Sequence, residues 1–246
     1  MFMAKRAFTA PFMRFPQISR SIINSTRNLF IQTMETPNEH ALKFLPSMQI
    51  MKENETREFL SGREAACSPL ALKLFSIDGI KSIMFGSNFI TIEKANEDLH
   101  WSLLKPEIFS ILTEFLNNGT PILNEESELT DDMEISEDDD ETVTMIKELI
   151  FTRIRPAIQD DGGDIEFVSF AEDNGTVYLR LKGACRSCDS SSVTLKNGIE
   201  SMLKYYIEEV TTVEQVNDED TTEIVEKFKS EDIHLKPSPR DDPPSL

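Results

Sequence analysis

The sequence predicts an α+β fold in which two small α/β domains are joined by an acidic flexible linker. Two turn signals, Gly86-Ser87-Asn88 and Asn174-Gly175, each lie between two alternating apolar segments, which is the pattern of a β-hairpin. Helix-spaced apolar residues flank each hairpin. Residues 125–141 separate the two groups and hold eleven acids and no base, a composition too charged to pack. Two hydrophobic cores are therefore expected, one on each side of that acidic segment.

Charge is unevenly distributed along this chain of 246 residues, whose net charge is −19. Residues 1–34 hold five bases and no acid, a composition typical of a mitochondrial transit peptide, which we assign to residues 1–30 in preference to a disordered basic tail. The acidic linker, residues 125–140, is interpreted as a solvated spacer, with an acidic docking strip for a basic partner as the alternative. The tail, residues 218–246, is predicted to be disordered.

Two classes of protein are disfavoured by these patterns. Most of the acidity lies in the linker and the tail, and no predicted domain has an excess of bases, so nucleic-acid binding gets no support. No later run approaches the ~20 apolar residues of a membrane span, so membrane insertion is not expected. Three cysteines in a chain of this size do not indicate a disulfide framework.

The first predicted domain covers residues 31–124 and begins with a short strand at Ala41–Leu45. Its first helix is predicted from a capping signal. Ser68 offers a hydroxyl to the unpaired N–H groups of a helix start, and Pro69 suits the first helical position because its missing N–H would be unpaired there anyway.

A hairpin and a second helix complete this domain. Ile80–Phe85 and Phe89–Lys94 alternate around the turn signal and are predicted to pair as antiparallel strands. The second helix is predicted to open at Pro106 and to close at Asn118-Gly119. We find no catalytic constellation among these residues.

The second predicted domain, residues 141–217, has the element order α-β-β-α-β. Its first helix is predicted to end within residues 160–164, with a kink or break near Pro156. The apolar faces of its helices are Val143, Ile146, Leu149, Ile150 and Ile154 in the first and Leu195, Ile199, Met202 and Tyr206 in the second. The predicted strands are Ile165–Phe170, Thr176–Lys182 and Val210–Val216.

A loop with two acids and two glycines follows the first of these helices. Asp160 and Asp164 flank Gly162 and Gly163, an arrangement that could be taken for a phosphate or metal cradle. A tight turn that needs positive φ is at least as good an account, because the acids would repel phosphate.

The most informative feature is the pair Cys185 and Cys188, which lies in the predicted connection between a strand and a helix. The N–H groups and dipole of a helix start stabilise anions, so both thiols should ionise more easily than an ordinary thiol. Two thiolates are half of the four that a tetrahedral sulfur site requires, and Cys67 lies more than a hundred residues upstream. The missing ligands come from a second copy of the chain, from another molecule, or not at all.

These residues carry a resemblance. Asp161-Gly-Gly-Asp164 and the run from Leu181 to Glu200, Leu-Lys-Gly-Ala-Cys-Arg-Ser-Cys-Asp-Ser-Ser-Ser-Val-Thr-Leu-Lys-Asn-Gly-Ile-Glu, closely resemble the NifU C-terminal-domain family. The order of domains is similar to that of the mitochondrial Nfu proteins, which carry iron–sulfur clusters. The segments similar to the family's N-terminal domain are Phe30-Ile-Gln-Thr33, Thr36-Pro-Asn38, Leu42-Lys-Phe44, Ser68-Pro-Leu-Ala71 and Leu104-Lys-Pro106.

The resemblance implies that Cys185 and Cys188 from two protomers together bind one 4Fe–4S cluster, which makes the protein a homodimer through the cluster. It implies a scaffold or carrier rather than an enzyme, which takes clusters from donors and passes them to apo-proteins in the mitochondrial matrix, such as lipoyl synthase and respiratory-chain subunits. Cys67 matches no ligand of the family and is interpreted as a packed thiol.

Two alternatives remain open on the residues alone. A thioredoxin-like thiol–disulfide oxidoreductase also places Cys-x-x-Cys between a strand and a helix, although its aromatic and glycine-proline context is absent around Arg186-Ser187. A zinc-bridged dimer is chemically possible, because the same four thiolates suit zinc.

Overall fold

The computed structural model describes residues 29–124, 140–187 and 189–217, with the backbone alone over 189–193. Nearly all of the predicted transit peptide, nearly all of the predicted linker, the whole predicted tail and Cys188 lie outside the described residues. In the part that is described, no helix is both long enough and apolar enough to cross a bilayer.

The first domain is a five-stranded antiparallel sheet with helices on one face, and its strand order is β1-β2-β5-β4-β3. The strands are β1 (Ile31–Glu35), β2 (Ala41–Pro46), β3 (Arg57–Phe59), β4 (Ile80–Phe85) and β5 (Ile90–Lys94). A 3₁₀ helix (Glu64–Cys67) precedes α1 (Pro69–Phe75), and α2 (Trp101–Asn118) follows the sheet. The predicted hairpin is confirmed as β4 and β5, and the predicted strand at Ala41 as β2. The predicted cap is also confirmed, because Ser68 Oγ accepts a hydrogen bond from the N–H of Ala71 at 3.2 Å.

The two faces of this sheet differ in chemistry, although both are buried. One face is apolar and forms the core with α1 and α2, through residues such as Phe44, Ile83 and Ile92. The opposite face carries polar side chains, among them Lys43 and Thr91, that are almost inaccessible to solvent. Strand alternation places the two sets on opposite faces, so the polar set must be covered by something other than the helices. The second domain covers it.

The start of α2 corrects the prediction that this helix opens at Pro106. The helix begins at Trp101, and Pro106 lies inside it. A proline in that position costs one helical hydrogen bond, yet Leu104 is buried in the core and Trp101 packs against it. The extra turn is therefore stabilised by tertiary packing, which outweighs the local signal. The predicted end is confirmed, because Gly119 has φ 65° as the left-handed residue that closes the helix.

The second domain has the predicted order α-β-β-α-β. Its elements are α3 (Glu141–Leu149), a π-helical turn (Ile150–Ile154), α4 (Arg155–Asp160), β6 (Gly163–Ala171), β7 (Thr176–Gly183), α5 (Asp189–Tyr206) and β8 (Thr212–Gln215). The sheet order is β6-β7-β8, with β6 antiparallel and β8 parallel to β7. The break expected near Pro156 takes the form of the π turn directly before α4. Ile146, Ile150 and Ile154 are buried as predicted, whereas Val143 and Leu149 are only partly so.

The apolar face of α5 is rotated from the one that the sequence predicts. Ile199, Leu203 and, just beyond the helix end, Ile207 are buried in the second core, while Met202 and Tyr206 are 37% and 58% exposed. A stripe at four-residue spacing from Ile199 therefore replaces the predicted one. Leu195 packs at its edge.

Candidate cysteine-loop site

The cysteine loop, defined here as residues 182–187, forms the end of β7 and the turn that follows it on the way to α5. Its backbone turns at Gly183, which has φ 63°, beside Gly162, which has φ 83°. The N–H of Ala184 donates to the carbonyl of Gly162 at 3.2 Å, so the loop is bonded to the glycine turn that precedes β6. A Cβ on Gly183 would press on that carbonyl and on Met84, so the position requires glycine for its space as well as for its φ.

Cys185 lies inside the second core with only 7% of its surface exposed. Its Sγ faces the backbone of Gly163, where a Cβ would collide with the sulfur. Gly163 pairs with Gly183 across β6 and β7, so the two glycines and the thiol form one close contact. The predicted ligand Cys188 follows three residues later, outside the described residues.

The loop of Asp160 to Asp164 forms a tight turn, and Asp164 is bound within the protein. Its carboxylate forms a bidentate ion pair with Arg155, through Nε at 2.9 Å and Nη2 at 3.0 Å. The hydroxyl of Thr56, from the first domain, donates to the same carboxylate. These contacts favour the turn over the phosphate or metal cradle, because Asp164 already neutralises a buried guanidinium. Arg155 and Thr56 were not singled out from the sequence.

The first domain holds the cysteine loop directly. Asn38 donates through Nδ2 to the carbonyl of Ala184 and to Ser187 Oγ, both at 3.0 Å. Glu58 accepts from the N–H of Gly183 at 2.8 Å and from Arg186 Nη2 at 2.6 Å. Gly183, Ala184, Arg186 and Ser187 are therefore each bonded to Asn38 or Glu58.

A second carboxylate approaches the same loop. Glu93 accepts from Ser187 Oγ at 2.7 Å and also binds Lys81 and Ser82 of its own sheet. Ser187 thus lies between Asn38 and Glu93. Both residues between the two cysteines, Arg186 and Ser187, are fixed by side chains of the other domain.

The polar face of the first sheet also holds the glycine turn. Lys43 Nζ donates to the carbonyls of Gln159 at 2.8 Å and Asp160 at 3.1 Å. Thr91 Oγ1 donates to the carbonyl of Gly162 at 2.7 Å. Burial lowers the pKa of Lys43, and the nearby acids Asp160 and Asp161 oppose that shift.

Burial shifts the pKa of Glu58 as well, in the direction expected for an acid. It raises the pKa of Glu58, while Arg186 and the N–H of Gly183 oppose the rise. Its carboxylate is 7% exposed. Both shifts have the same cause, because ionisable side chains of the first domain are desolvated beneath the second domain.

Cys67 is separate from this arrangement. It packs at the edge of the first core, its thiol donates to the carbonyl of Glu64 at 3.4 Å, and Arg57 Nη2 approaches its sulfur at 3.8 Å. The interpretation of a packed thiol is confirmed. Among the residues that the structure describes, no three His, Cys, Asp or Glu side chains come together as a metal site.

Sequence reasoning missed the contribution of the first domain to this site. The available signal was polar residues in otherwise apolar strands, namely Lys43 in β2 and Thr91 and Glu93 in β5. Strand alternation alone would place these on a solvated face. Their burial becomes evident only when the second domain is in place.

The fold and the loop define a class: two-domain α+β proteins whose second domain presents a Cys-x-x-Cys loop between a strand and a helix. Residues 31–119 match the family model described as "Scaffold protein Nfu/NifU N terminal", and residues 146–214 match the one described as "NifU-like domain". The chain belongs to the mitochondrial Nfu family.

Relatives with curated names agree with this assignment. A protein of Drosophila persimilis named "NFU1 iron-sulfur cluster scaffold homolog, mitochondrial" is 50% identical over 210 residues, which cover 85% of this chain and 73% of that protein. A protein of Drosophila willistoni with the same name is 50% identical over 218 residues, or 89% of this chain and 74% of that protein.

One solved structure is similar over the whole of its own chain. The solution structure of a NifU-like protein from Saccharomyces cerevisiae is 32% identical and covers 50% of this chain and 100% of that chain, with a TM-score of 0.38. At that TM-score the assignment rests on the sequence matches.

Proposed function

We propose that this protein is an iron–sulfur cluster scaffold and carrier that binds a 4Fe–4S cluster between two protomers. Cys185 and Cys188 of each protomer supply the four thiolates, and the assembly is a homodimer through the cluster. The names of the relatives describe iron–sulfur cluster scaffold homologues, and they support this function for the family to which the chain belongs.

The observation that carries the proposal is the close approach of Cys185 Sγ to Gly163, the first residue of β6. A backbone without side chains lies on one side of the sulfur, so peptide groups can approach a cluster closely. Thiolate sulfur is the ligand that iron–sulfur clusters require. Two protomers provide four such ligands without Cys67, which packs in the other domain.

Transfer requires only ligand exchange. A thiolate of the acceptor forms a bond to one iron as the bond from that iron to Cys185 or Cys188 breaks. The proton that leaves the acceptor thiol goes to the departing cysteine, so no oxidant or reductant is consumed. Four such exchanges move the intact cluster. A site shared between two loops suits this sequence, because a single chain never encloses the cluster with all four ligands.

The proposed setting is the mitochondrial matrix. The basic, acid-free start of the chain and the word "mitochondrial" in the relatives' names support a mitochondrial protein. The donors would be cluster-assembly proteins, and the acceptors apo-enzymes such as lipoyl synthase and subunits of the respiratory chain.

A transfer experiment tests this function. The full chain is loaded anaerobically with iron and sulfide, separated from excess reagents, and mixed with apo-lipoyl synthase, whose activity and 4Fe–4S spectrum are followed. We expect the acceptor to gain both while the donor loses its absorbance. Free iron and sulfide at the same concentrations, with a strong chelator added to both reactions, provide the control. A preparation that stays colourless and binds zinc, or one that only exchanges disulfides, would favour the alternatives instead.

A further inference from the structure

The polar face of the first sheet forms a continuous row that contacts the second domain. Glu58, Met84, Thr91 and Lys43 are successive cross-strand partners on β3, β4, β5 and β2. Glu58 and Met84 contact Gly183, Thr91 binds Gly162, and Lys43 binds the end of α4. We call this row, together with Asn38 and Glu93, the docking face.

The contacts of the docking face are directed at the cysteine loop and at the glycine turn that supports it. Asn38, Thr91 and Glu93 are each at most 4% exposed, so these polar groups have been withdrawn from water. Burying polar groups costs free energy unless partners replace the lost water. The loop and the turn supply such partners to Asn38, Thr91 and Glu93, although Glu93 also binds Lys81 and Ser82 of its own sheet. The burial therefore depends in part on the loop and the turn being in place.

We propose that the docking face is a binding surface for the chain's own cysteine loop, and that docking competes with the pairing of this loop with a second copy. This inference rests on the proposed function. The docked loop is the closed form of the protein, and cluster assembly between protomers requires its release.

Charge makes the docked loop and the cluster-bound loop incompatible. A cluster bound by four thiolates carries net negative charge, because the thiolates outweigh the positive charge of its core. In the closed form the carboxylates of Glu58 and Glu93 lie against the loop, with only 7% and 5% of their side chains exposed. Each carboxylate is paired with a cation, Glu58 with Arg186 at 2.6 Å and Glu93 with Lys81 at 2.8 Å, so a second negative group beside them competes for those cations where solvent screens little. A cluster therefore disfavours the docked loop.

Hydrogen bonding adds to the competition. Backbone N–H groups near a cluster tune it by donating to its sulfurs. In the closed form the N–H of Gly183 donates to Glu58 instead. The same carboxylate pairs with Arg186, so the positive charge of Arg186 is engaged in the closed form. Glu58 thus binds two groups that would otherwise be able to face the negative charge of a cluster.

The first test measures docking in the cluster-free full chain. In a Cys67→Ser, Cys188→Ser background, Cys185 is the only cysteine, and its alkylation requires the loop to leave both Gly163 and the docking face, so the rate reports how often the whole loop opens. We expect Asn38→Ala and Glu58→Ala each to accelerate alkylation by about five- to thirtyfold, the change that loss of one or two strong hydrogen bonds gives in an open–closed ratio. The matched controls Asn118→Ala and Glu114→Ala lie on the exposed end of α2 and should leave the rate unchanged.

Hydrogen exchange separates local opening from loss of the fold. In Asn38→Ala and Glu58→Ala, a peptide over residues 182–187 should exchange faster, while peptides over β4 and β5 keep their protection. Equal alkylation rates in wild type and both variants, with an unchanged exchange of 182–187, would overturn the proposal. So would faster exchange that spreads over β4 and β5 to the same degree, because the variants would then report unfolding rather than undocking.

The second test connects docking to cluster assembly in the chain with all three cysteines. Anaerobic reconstitution should be faster in Asn38→Ala and Glu58→Ala than in wild type, by the same factor as alkylation. Equal loading rates would contradict the competition even if docking is confirmed. If docking is confirmed and no variant forms a cluster, the proposed function fails and the competition fails with it, whereas the docking face stands on the alkylation result.

Discussion

The two strand-to-helix connections that carry cysteine differ in what surrounds the sulfur. The first joins β3 to α1 and contains Cys67 directly before the cap Ser68. The second joins β7 to α5 and contains Cys185 in the cysteine loop. In the first connection the thiol donates to a carbonyl of its own 3₁₀ turn and packs at the edge of its own core. In the second, the residues on both sides of the thiol are bonded to the other domain.

Position before a helix therefore does not distinguish the proposed ligand Cys185 from Cys67. Both sulfurs lie shortly before the start of a helix. Only the second has another cysteine three residues away, a glycine backbone against its sulfur, and a surface that holds or releases the loop. The predictions below compare matched changes in the two connections.

Removing the cysteines should have the largest effect. We expect Cys185→Ser and Cys188→Ser each to abolish cluster formation on anaerobic reconstitution, because one protomer then brings a single thiolate. Cys67→Ser should load as much iron and sulfide as the wild type. Absorbance near the thiolate-to-iron bands and chemical iron analysis report the result. Retention of a full cluster in either of the first two variants would refute the ligand assignment.

The second largest effect is expected when a carboxylate near each connection, Asp164 or Glu64, is removed and the loss of stability is compared. Asp164→Ala breaks the bidentate pair with a guanidinium whose side chain is 7% exposed, and breaking a buried pair costs about 3–5 kcal/mol. Glu64 makes only exposed hydrogen bonds, to Leu60 N–H and to Ser61, so Glu64→Ala should cost under about 1 kcal/mol. Urea unfolding of both variants measures the costs. Equal values would mean that the Arg155 pair contributes no more than a surface contact.

The third comparison concerns two glycines, Gly163, which lies against the sulfur of the second connection, and Gly62, which lies within the first. Gly163→Ala places a methyl group in collision with Cys185 Sγ, and overpacking of this kind costs about 1–3 kcal/mol. Gly62 has open space where its Cβ would be, so Gly62→Ala should be neutral or stabilising by about 0.4–1 kcal/mol. Thermal unfolding distinguishes the two directions. Reduced iron loading should accompany only Gly163→Ala, and an unaffected Gly163→Ala protein would contradict the close contact.

The smallest expected effect concerns pH. Burial raises the pKa of Glu58 above its ordinary 4.5, so the folded state binds this proton more tightly than the unfolded state. The contribution is fully present below the ordinary pKa and is lost as the pH rises through the raised pKa. The difference in unfolding free energy, wild type minus Glu58→Gln, should therefore increase as the pH falls from neutral towards 4.5. A difference that is constant or moves in the opposite direction contradicts the dominance of burial over the pairing with Arg186.

Local signals predicted most of the elements around the site. The turn glycines, the alternation of Val177, Leu179 and Leu181, and the cap at Ser68 each depend on near neighbours in the chain, so a sequence contains them. The strands β1 and β3 were not predicted, because neither has a local signal of this kind. The residues of β1 are largely exposed, and β3 is only three residues long, so neither shows an alternation of buried and exposed residues.

The docking face was not predicted because its chemistry depends on contacts distant in sequence. Asn38 and Ala184 are 146 residues apart, and Glu58 and Arg186 are 128 apart. A polar residue in a strand normally faces water, and only the position of the second domain makes Thr91 and Glu93 buried hydrogen-bonding groups. The start of α2 and the rotated face of α5 were likewise decided by packing rather than by local preference.

Native mass spectrometry of the Cys67→Ser chain after anaerobic reconstitution tests the central claim most directly. The account predicts one species that contains two protomers with four irons and four sulfides, and its loss to monomers when the cluster is removed by a chelator. A cluster carried by a single protomer, or a metal-loaded dimer that contains zinc in place of iron and sulfide, would contradict a 4Fe–4S cluster shared by Cys185 and Cys188 of two chains.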